Sequence, residues 1–341
     1  MKRVLIICIG CCLMAANISQ AQNAKQLINQ AHSLSEAGNS IEAITLLENN
    51  IERFENDADY TAAIDLLGIL SFNLGNFAKT EKYFLEAKTI SEKTLGQDHP
   101  DYATALNNLG LLYKNMGNYA EAAKYYVEAK IIFEKVLGKD HPYYATALSN
   151  LGLLFETTGN NSDAEKYYLE AKTIHEEVLG KNHPNYATSL NNLGLLYMNM
   201  GRYAEAEQCH LDAKAIREKA LGKDHPDYAT SLNNLGLLFQ TVGNYDEAET
   251  YFWEAITIVG KVLSQNHPYY ATTLNNLGAL YRDTDNYAEA ETCFLKAKTI
   301  REKVLGKEHP DYIITVNMLI SLYQMMQEDE KINSLKNEMR K

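Results

Sequence analysis

The chain has 341 residues and carries 32 Lys and Arg against 44 Asp and Glu, a net charge of −12 with His neutral. Nucleic acids and anionic membranes are bound through clustered Lys and Arg, so an acidic surface of this size argues against both as partners. The length alone suggests roughly two domains of about 150 residues each. A strict internal period overrides that expectation.

The amino terminus has the features of a secretory signal peptide. Two basic residues precede an apolar run over residues 4–16, and Ala21 stands at a small-residue cleavage position. This pattern predicts a signal peptide over residues 1–21 and an exported protein, periplasmic or secreted. The apolar run is too short for a comfortable membrane span. Two alternatives stay open, a lipoprotein anchored through Cys12 and an uncleaved signal anchor.

A His-Pro pair occurs six times, always 42 residues apart, and uses every proline of the chain. The six histidines are His99, His141, His183, His225, His267 and His309. A fixed period of about 20 to 50 residues is typical of solenoids, in which each unit buries its apolar face against its neighbours. The pattern therefore predicts a repeat array whose function lies on a long surface.

Each unit has the pattern of a helical hairpin. Pro100 suits the first turn of a helix, and Gly117 ends that helix seventeen residues later. A second helical stripe follows and stops at Gly138. Small residues at fixed positions, such as Gly110 and Ala122, allow the two helices to approach closely. The predicted unit is a pair of antiparallel helices, A and B.

These positions resemble the tetratricopeptide repeat (TPR) family. The matching residues are Leu109, Gly110, Tyr113, Gly117, Tyr119, Ala122, Tyr126 and Ala129. The wording H-P-x-Y-A-T-x-L-N-N-L-G-L-L-Y and the 42-residue period resemble the repeats of kinesin light chains and their bacterial relatives. The resemblance implies an all-α, right-handed superhelical α-solenoid of about eight helix-turn-helix hairpins, with the A helices on the concave side.

The predicted organisation has four parts. After the signal peptide at 1–21, a divergent TPR-like hairpin covers 22–58, and six TPR units cover 59–309, five of them near-identical copies from residue 99. A capping hairpin covers 310–341. One weak junction is expected, because Gly260 and Ser264 replace the usual Glu and capping Gly, and Asp285 replaces a turn glycine.

Catalytic and metal chemistry are not expected. Zinc needs all of its ligands within about 2.3 Å, whereas histidines on repeats about 10 Å apart cannot share one ion. The histidines are instead predicted to help end one helix and start the next. Almost every polar side chain is duplicated in other repeats, whereas an active site is a unique cluster. We therefore predict no enzyme activity, no metal and no cofactor. Cys209 and Cys293, two repeats apart, are predicted to be packing residues.

The candidate binding site is a ladder of polar and apolar residues on the A helices. In kinesin light chains the resemblance implies that helix A asparagines hold an extended peptide. The asparagines here are Asn107, Asn108, Asn150, Asn191, Asn192, Asn233, Asn234, Asn275 and Asn276, followed by Leu111, Leu153, Leu195 and Leu237. A carboxamide can pair with both N–H and C=O groups of a peptide. Neighbouring residues on a helix point about 100° apart, so the second Asn of each pair is predicted to line the groove and the first to bond another helix. The alternative is that the whole ladder only links helices.

Selectivity is predicted at the end of each A helix, where the repeats differ. This specificity strip contains Lys114, Glu156, Met198, Gln240 and Arg282. The sequence thus favours a non-catalytic scaffold that binds a protein or peptide of unidentified sequence. Two alternatives stay open. One is a regulatory or sensor subunit acting in trans on a signalling or CHAT-protease-like partner, and the other is a structural spacer in a cell-envelope assembly.

Overall fold

The computed structural model describes residues 24–54 and 57–339, and the predicted signal peptide with Cys12 lies outside them. The described residues form sixteen α-helices and no β-strand, paired into eight antiparallel hairpins. The all-α solenoid of eight hairpins is therefore confirmed. The helices are α1 (24–36), α2 (Ser40–Glu48), α3 (Asp57–Asn73), α4 (Phe77–Thr94), α5 (Pro100–Asn115), α6 (Tyr119–Leu137), α7 (Pro142–Thr157), α8 (Asn161–Leu179), α9 (Pro184–Asn199), α10 (Tyr203–Leu221), α11 (Pro226–Thr241), α12 (Tyr245–Val262), α13 (Pro268–Asp283), α14 (Tyr287–Leu305), α15 (Pro310–Met326) and α16 (Asp329–Glu338).

Odd-numbered helices are the A helices and even-numbered helices the B helices, so hairpin 1 is α1 with α2 and hairpin 8 is α15 with α16. Within the described ranges, no helix is both long enough and apolar enough to cross a membrane. A short 3-10 turn, Ile51–Arg53, lies between the first two hairpins.

The repeated histidine is the N-cap of each A helix from α5 onwards. His99 has extended backbone angles, and its ring Nδ1 accepts a hydrogen bond from the backbone N–H of Asp101 at 3.2 Å. Pro100 then occupies the first helical position, where its missing N–H costs nothing. The same cap recurs before α7, α9, α11, α13 and α15. The predicted role of the His-Pro pair as a helix start is confirmed.

The glycine in each A helix makes room for one aromatic ring of its B helix. A Cβ added to Gly110 would lie 2.6 Å from the ring of Tyr126, closer than any real contact. The same pairing is found between Gly68 and Phe84, Gly152 and Tyr168, Gly194 and His210, Gly236 and Phe252, and Gly278 and Phe294. His210 is therefore an aromatic-core substitute, fully buried, and burial lowers its pKa to about 4.

The predicted weak junction follows α12. That helix ends one residue earlier in its repeat than its neighbours, and Ser264 takes a left-handed φ of 93° where the other repeats have glycine. Asp285 likewise adopts φ 60° at the turn between α13 and α14, an angle that Asp tolerates better than most residues. Both substitutions thus keep the backbone path of the repeat at some cost in strain.

Candidate functional site

The first asparagine of each pair is buried between helices. Asn107, Asn191, Asn233 and Asn275 are at most 9% exposed. The Nδ2 of Asn275 donates to the Oγ1 of Thr315 in the next A helix at 3.0 Å, whereas the Oδ1 of Asn191 bonds the ring of His210 at 3.0 Å. These side chains therefore link helices, in line with the structural role expected for one member of each pair.

The second asparagine lies closer to the surface in most hairpins. Asn108, Asn150, Asn192 and Asn276 are half-buried, whereas Asn234 is only 8% exposed. Asn276 also donates to the Oδ1 of Asn233 in the preceding A helix at 2.8 Å. The groove role predicted for this position thus has its best geometry in hairpins 3 to 5. Whether these residues hold a ligand stays a prediction.

A cavity of about 270 Å³ opens between the A helices α5 and α7. Its lining brings predicted groove residues together with others from three helices: Thr104, Asn107, Asn108, Leu111, Phe133, Tyr143, Thr146 and Asn150. The predicted residues Leu153, Leu195 and Leu237 are half-buried at the same position of later A helices. The cavity therefore offers amide, hydroxyl and apolar groups side by side, which suits an extended peptide.

The floor of this cavity is a B-helix residue that sequence reasoning missed. Phe133 of α6 reaches between α5 and α7, and the equivalent residues of later hairpins differ in chemistry. We call this set the floor residues; they are Phe133, His175, Arg217, Val259 and Arg301, none more than 5% exposed. Their side chains vary while the surrounding repeat is nearly constant.

Each of the two arginine floor residues donates hydrogen bonds to two A helices, the one of its own hairpin and the next. The Nη1 of Arg217 donates to the backbone carbonyl of Asp227 at 3.1 Å and to the Oγ of Ser231 at 3.0 Å, both in α11. Its Nη2 donates to the Oγ1 of Thr188 in α9 at 3.1 Å. Arg301 repeats this arrangement with Asp311, Thr315 and Thr272. Burial lowers the pKa of both guanidinium groups.

The floor residue is matched by a residue fourteen positions later, in the next A helix. His175 bonds Ser189 at 2.8 Å, Arg217 bonds Ser231, and Arg301 bonds Thr315 at 2.6 Å, whereas the apolar Phe133 packs near Ala147 in one apolar cluster. The polar floor residues thus face a hydroxyl, which was the signal available in the sequence, although the apolar Val259 also faces one, Thr273, whose Oγ1 donates to the carbonyl of Tyr269 in its own helix.

The specificity strip is tied into contacts between hairpins. Glu156 accepts hydrogen bonds from Asn199 of the next A helix at 2.7 Å and from Tyr168 at 2.9 Å. Gln240 donates to Asp283 at 2.8 Å, and Asp283 also pairs with Arg282. Burial lowers the pKa of Lys114, which nearby Glu156 opposes. Met198 is half-buried. The polar residues of the strip thus form contacts between neighbouring A helices at two places, around Glu156 and around Asp283.

Metal and thiol chemistry find no support in the described part of the chain. Among residues 24–54 and 57–339, no group of three or more His, Cys, Asp or Glu could hold a metal ion. Cys209 is half-buried and Cys293 is buried, and both are free thiols. Burial raises the pKa of each to about 11, so neither is a ready nucleophile.

A right-handed stack of helical hairpins with small residues at fixed positions defines an α-solenoid, and comparison with known families identifies which one. A tetratricopeptide repeat family model matches residues 60–129, 103–174, 158–198 and 187–261, and a second tetratricopeptide repeat model matches residues 271–311. Together these matches cover more than half of the chain. The chain belongs to the tetratricopeptide repeat family.

Two of the solved structures similar to this chain, with TM-scores above 0.5, show the same fold. BtubC (BKLC) from P. vanneervenii is 25% identical, with a TM-score of 0.51 over 71% of this chain and 91% of that one. A putative kinesin light chain from Podosopora anserina is 23% identical, with a TM-score of 0.48 over 60% of this chain and 97% of that one. A chain of the APC/C hetero-tetramer Cut9-Hcn1 is 16% identical, with a TM-score of 0.53 over 86% and 48%. No curated protein matches the chain by sequence.

Proposed function

We propose that this protein is an exported, non-catalytic scaffold that binds a protein or an extended peptide in the groove lined by its A helices. The observation that carries the proposal is the cavity between α5 and α7, where half-buried Asn108 and Asn150 stand beside Leu111. Amide groups would pair with the backbone of a peptide, and the leucine would contact its apolar side chains. The TPR family, whose members typically bind proteins, supports the same reading.

The test is capture of partners from an envelope fraction of the source organism, followed by affinity measurement with each recovered partner. Two versions of the chain from Gln22 to Lys341 are compared, the unchanged one and one carrying Asn108→Ala, Asn150→Ala and Asn192→Ala. These three asparagines are half-buried and, unlike Asn276, have no hydrogen bond to a neighbouring A helix among the described residues, so their loss removes ligand contacts with little effect on the core. A matched control carries Thr173→Ala, Gln208→Ala and Thr299→Ala, three exposed B-helix positions.

A groove receptor loses the partner in the asparagine variant and retains it in the B-helix control, with unchanged circular dichroism in all three proteins. The expected loss is about ten-fold or more in affinity, because two or three peptide hydrogen bonds of about 1 kcal/mol each disappear. Equal affinity in all three proteins would place the binding surface elsewhere and leave the ladder as a link between helices, as a structural spacer requires.

Export is the second part of the proposal. It is supported by the basic residues, apolar run and small-residue cleavage position of residues 1–21, which lie outside the described residues. Cell fractionation with sequencing of the mature amino terminus tests it. A terminus at Gln22 in the periplasm or medium is expected. A terminus at a lipid-modified Cys12 would show the lipoprotein alternative instead.

A further inference from the structure

The two ends of the array touch each other. Gly75 lies in the turn between α3 and α4 of hairpin 2, and a Cβ added to it would stand 2.7 Å from the ring of His309, the N-cap of α15 in hairpin 8. The backbone of Asn73, two residues before Gly75, is also close enough to raise the pKa of His309. Residues more than 230 positions apart are therefore in van der Waals contact.

A second contact repeats the first one hairpin earlier. Gly38 is the turn glycine of hairpin 1, and its added Cβ would lie 3.7 Å from the Cα of His267, the N-cap of α13 in hairpin 7. Residues of the same two segments line a cavity of about 270 Å³, with Glu42 on one side and Asn266 and Lys303 on the other. Both contacts join equivalent positions, a turn glycine and an N-cap histidine, six hairpins apart. We call these two contacts the clasp.

The intervening hairpins show that this contact is not a property of each repeat. Gly117, Gly159, Gly201 and Gly243 occupy the same turn with similar positive φ angles, yet a Cβ on any of them would meet nothing within 4 Å. The contacts join only hairpins that are six apart. A superhelix produces such contacts when six hairpins complete one turn and successive turns touch.

A closed turn of six hairpins limits the space inside it. Neighbouring helices pack about 10 Å apart, and six axes at that spacing lie on a ring of radius about 10 Å. Subtracting the side-chain radius of a helix, about 5 to 6 Å, leaves a channel of about 8 to 10 Å. An extended strand, about 5 Å by 10 Å in section, fits this width, whereas a helix of about 10 to 12 Å or a folded domain does not.

We infer that the clasp closes the concave groove into a channel, so that the partner enters as an extended chain segment and folded domains are excluded while the clasp is shut. This inference rests on the groove proposed above as the binding site, and it adds the class of partner and the control of its access. An extended partner with a free end can thread into the channel. A partner segment flanked by folded domains requires the clasp to open first.

The test measures access to the groove with two thiol reagents of different size. The starting protein is the chain from Gln22 to Lys341 with Cys209→Ser and Cys293→Ser, and Asn192→Cys places one thiol on a groove position. The small reagent is N-ethylmaleimide, and the bulky reagent is a maleimide coupled to folded ubiquitin by a short linker. Gly75→Asn opens the clasp, because its Cβ collides with His309. Gly159→Asn is the matched control, with the same kind of turn and open space around it.

The small reagent is expected to label all versions at similar rates. The bulky reagent is expected to label the Gly75→Asn protein about ten-fold faster than the Gly159→Asn control, since an open minor state of a two-state protein is populated at about 10% or less. Equal bulky-reagent rates in the two proteins would overturn the inference. Failure of even the small reagent to reach Asn192→Cys would instead contradict the proposed groove itself, so the two proposals fail in distinguishable ways.

A second variant tests the contact without relying on the fold of Gly75→Asn. Gly38→Cys and His267→Cys in the background lacking the native thiols are close enough to form a disulfide, which needs Cα atoms about 4.4 to 6.8 Å apart. Oxidation of the dilute monomer should give a cross-linked band of altered mobility on a non-reducing gel. The control pair Gly159→Cys and His267→Cys should give none. Absence of the first cross-link would show that the ends do not meet and would overturn the inference.

Discussion

Two neighbouring junctions of the array fill the same space with opposite chemistry. Between hairpins 5 and 6, the floor residue Arg217 donates three hydrogen bonds to α9 and α11. Between hairpins 6 and 7, the floor residue is Val259, which is fully buried in an apolar cluster. At this junction the polar contact with the preceding A helix comes from Tyr269, whose hydroxyl donates a hydrogen bond to the Oγ1 of Thr230 in α11 at 3.0 Å.

The difference between Arg217 and Val259 shows that the repeat needs a buried side chain at the floor position but does not need that side chain to be charged. A buried guanidinium with neutral partners gains less than it loses in hydration unless every donor is satisfied, and the Nε of Arg217 has no hydrogen-bond partner among the described residues. An apolar residue of suitable volume avoids that cost. The single tryptophan, Trp253 in α12, lies in hairpin 6 and donates a hydrogen bond to the hydroxyl of Tyr281 in hairpin 7, so its fluorescence follows the unfolding of this part of the array.

The largest effect is expected from Arg217→Ala. This change creates a cavity and leaves Ser231, Thr188 and the carbonyl of Asp227 without their donor, which together should cost about 3 kcal/mol. Urea unfolding followed by the fluorescence of Trp253 measures the loss. Val259→Ala, which removes only apolar volume, should cost about 2 kcal/mol. A smaller loss for Arg217→Ala than for Val259→Ala would contradict the polar role of the first junction.

Conversion of one junction into the other should cost much less. The double change Arg217→Val with Ser231→Thr copies the pair Val259 and Thr273 into the preceding hairpin. Because well-packed apolar residues often replace buried charges at little cost, the expected change in unfolding free energy is within about 1 kcal/mol of the unchanged protein. A loss equal to that of Arg217→Ala would mean that the guanidinium itself is required, and the equivalence of the two junctions would be wrong.

A smaller effect is expected from Tyr269→Phe. It removes the hydrogen bond to Thr230 and nothing else, so the expected cost is about 1 kcal/mol in the same urea experiment. The matched control is Tyr143→Phe. Tyr143 occupies the same position as Tyr269 three repeats earlier, and its side chain is 54% exposed. Exposed positions of this kind change stability by less than about 0.5 kcal/mol. Equal losses in the two variants would remove the role given to the Tyr269 hydroxyl.

The sequence predicts the parts of this molecule that depend on one hairpin. The helix starts at Pro100 and its equivalents, the turn at Gly117 and the Gly110 position opposite an aromatic residue all follow from local backbone and packing rules. The division of the asparagine pairs into a buried and a half-buried member was also predictable, because helical geometry separates adjacent side chains by about 100°. It fails at Asn233 and Asn234, which are both buried. The peptide-binding role of the second asparagine stays a prediction.

The parts that were missed depend on relations between hairpins. The floor residue belongs to the B helix of one hairpin, but its partner lies fourteen positions later, in the A helix of the next hairpin. The sequence pattern of a single hairpin therefore does not contain this contact. The clasp depends on a small rotation per hairpin that accumulates over six hairpins, and no local pattern fixes its sum. His267 and His309, which contact Gly38 and Gly75, stand in the same His-Pro pair as the histidines of the other repeats, so the motif itself does not mark them.

The smallest expected effect is a pH dependence of the clasp, whose two histidines follow the apolar floor residue Val259 and the charged floor residue Arg301. His267 is covered by hairpin 1, and burial lowers its pKa below the ordinary value. Burial likewise lowers the pKa of His309, opposed by Asp311 and by the nearby Asn73 backbone and helped by Arg301. Glu42 and Lys303 are the charged side chains that line the cavity beside His267.

Both histidines bind protons more weakly in the closed clasp than in water, so the closed state is favoured above their ordinary pKa of about 6.5 and loses stability as the pH falls below it. The labelling of Asn192→Cys by the bulky maleimide, divided by its labelling by N-ethylmaleimide, should therefore rise roughly two- to five-fold between about pH 7 and pH 5.5. The ratio corrects for the ionisation of the thiol itself. His309→Asn keeps a side chain that can cap α15 but cannot titrate, so it should flatten the profile. A ratio that is already independent of pH in the parent protein would show that neither histidine is coupled to closure.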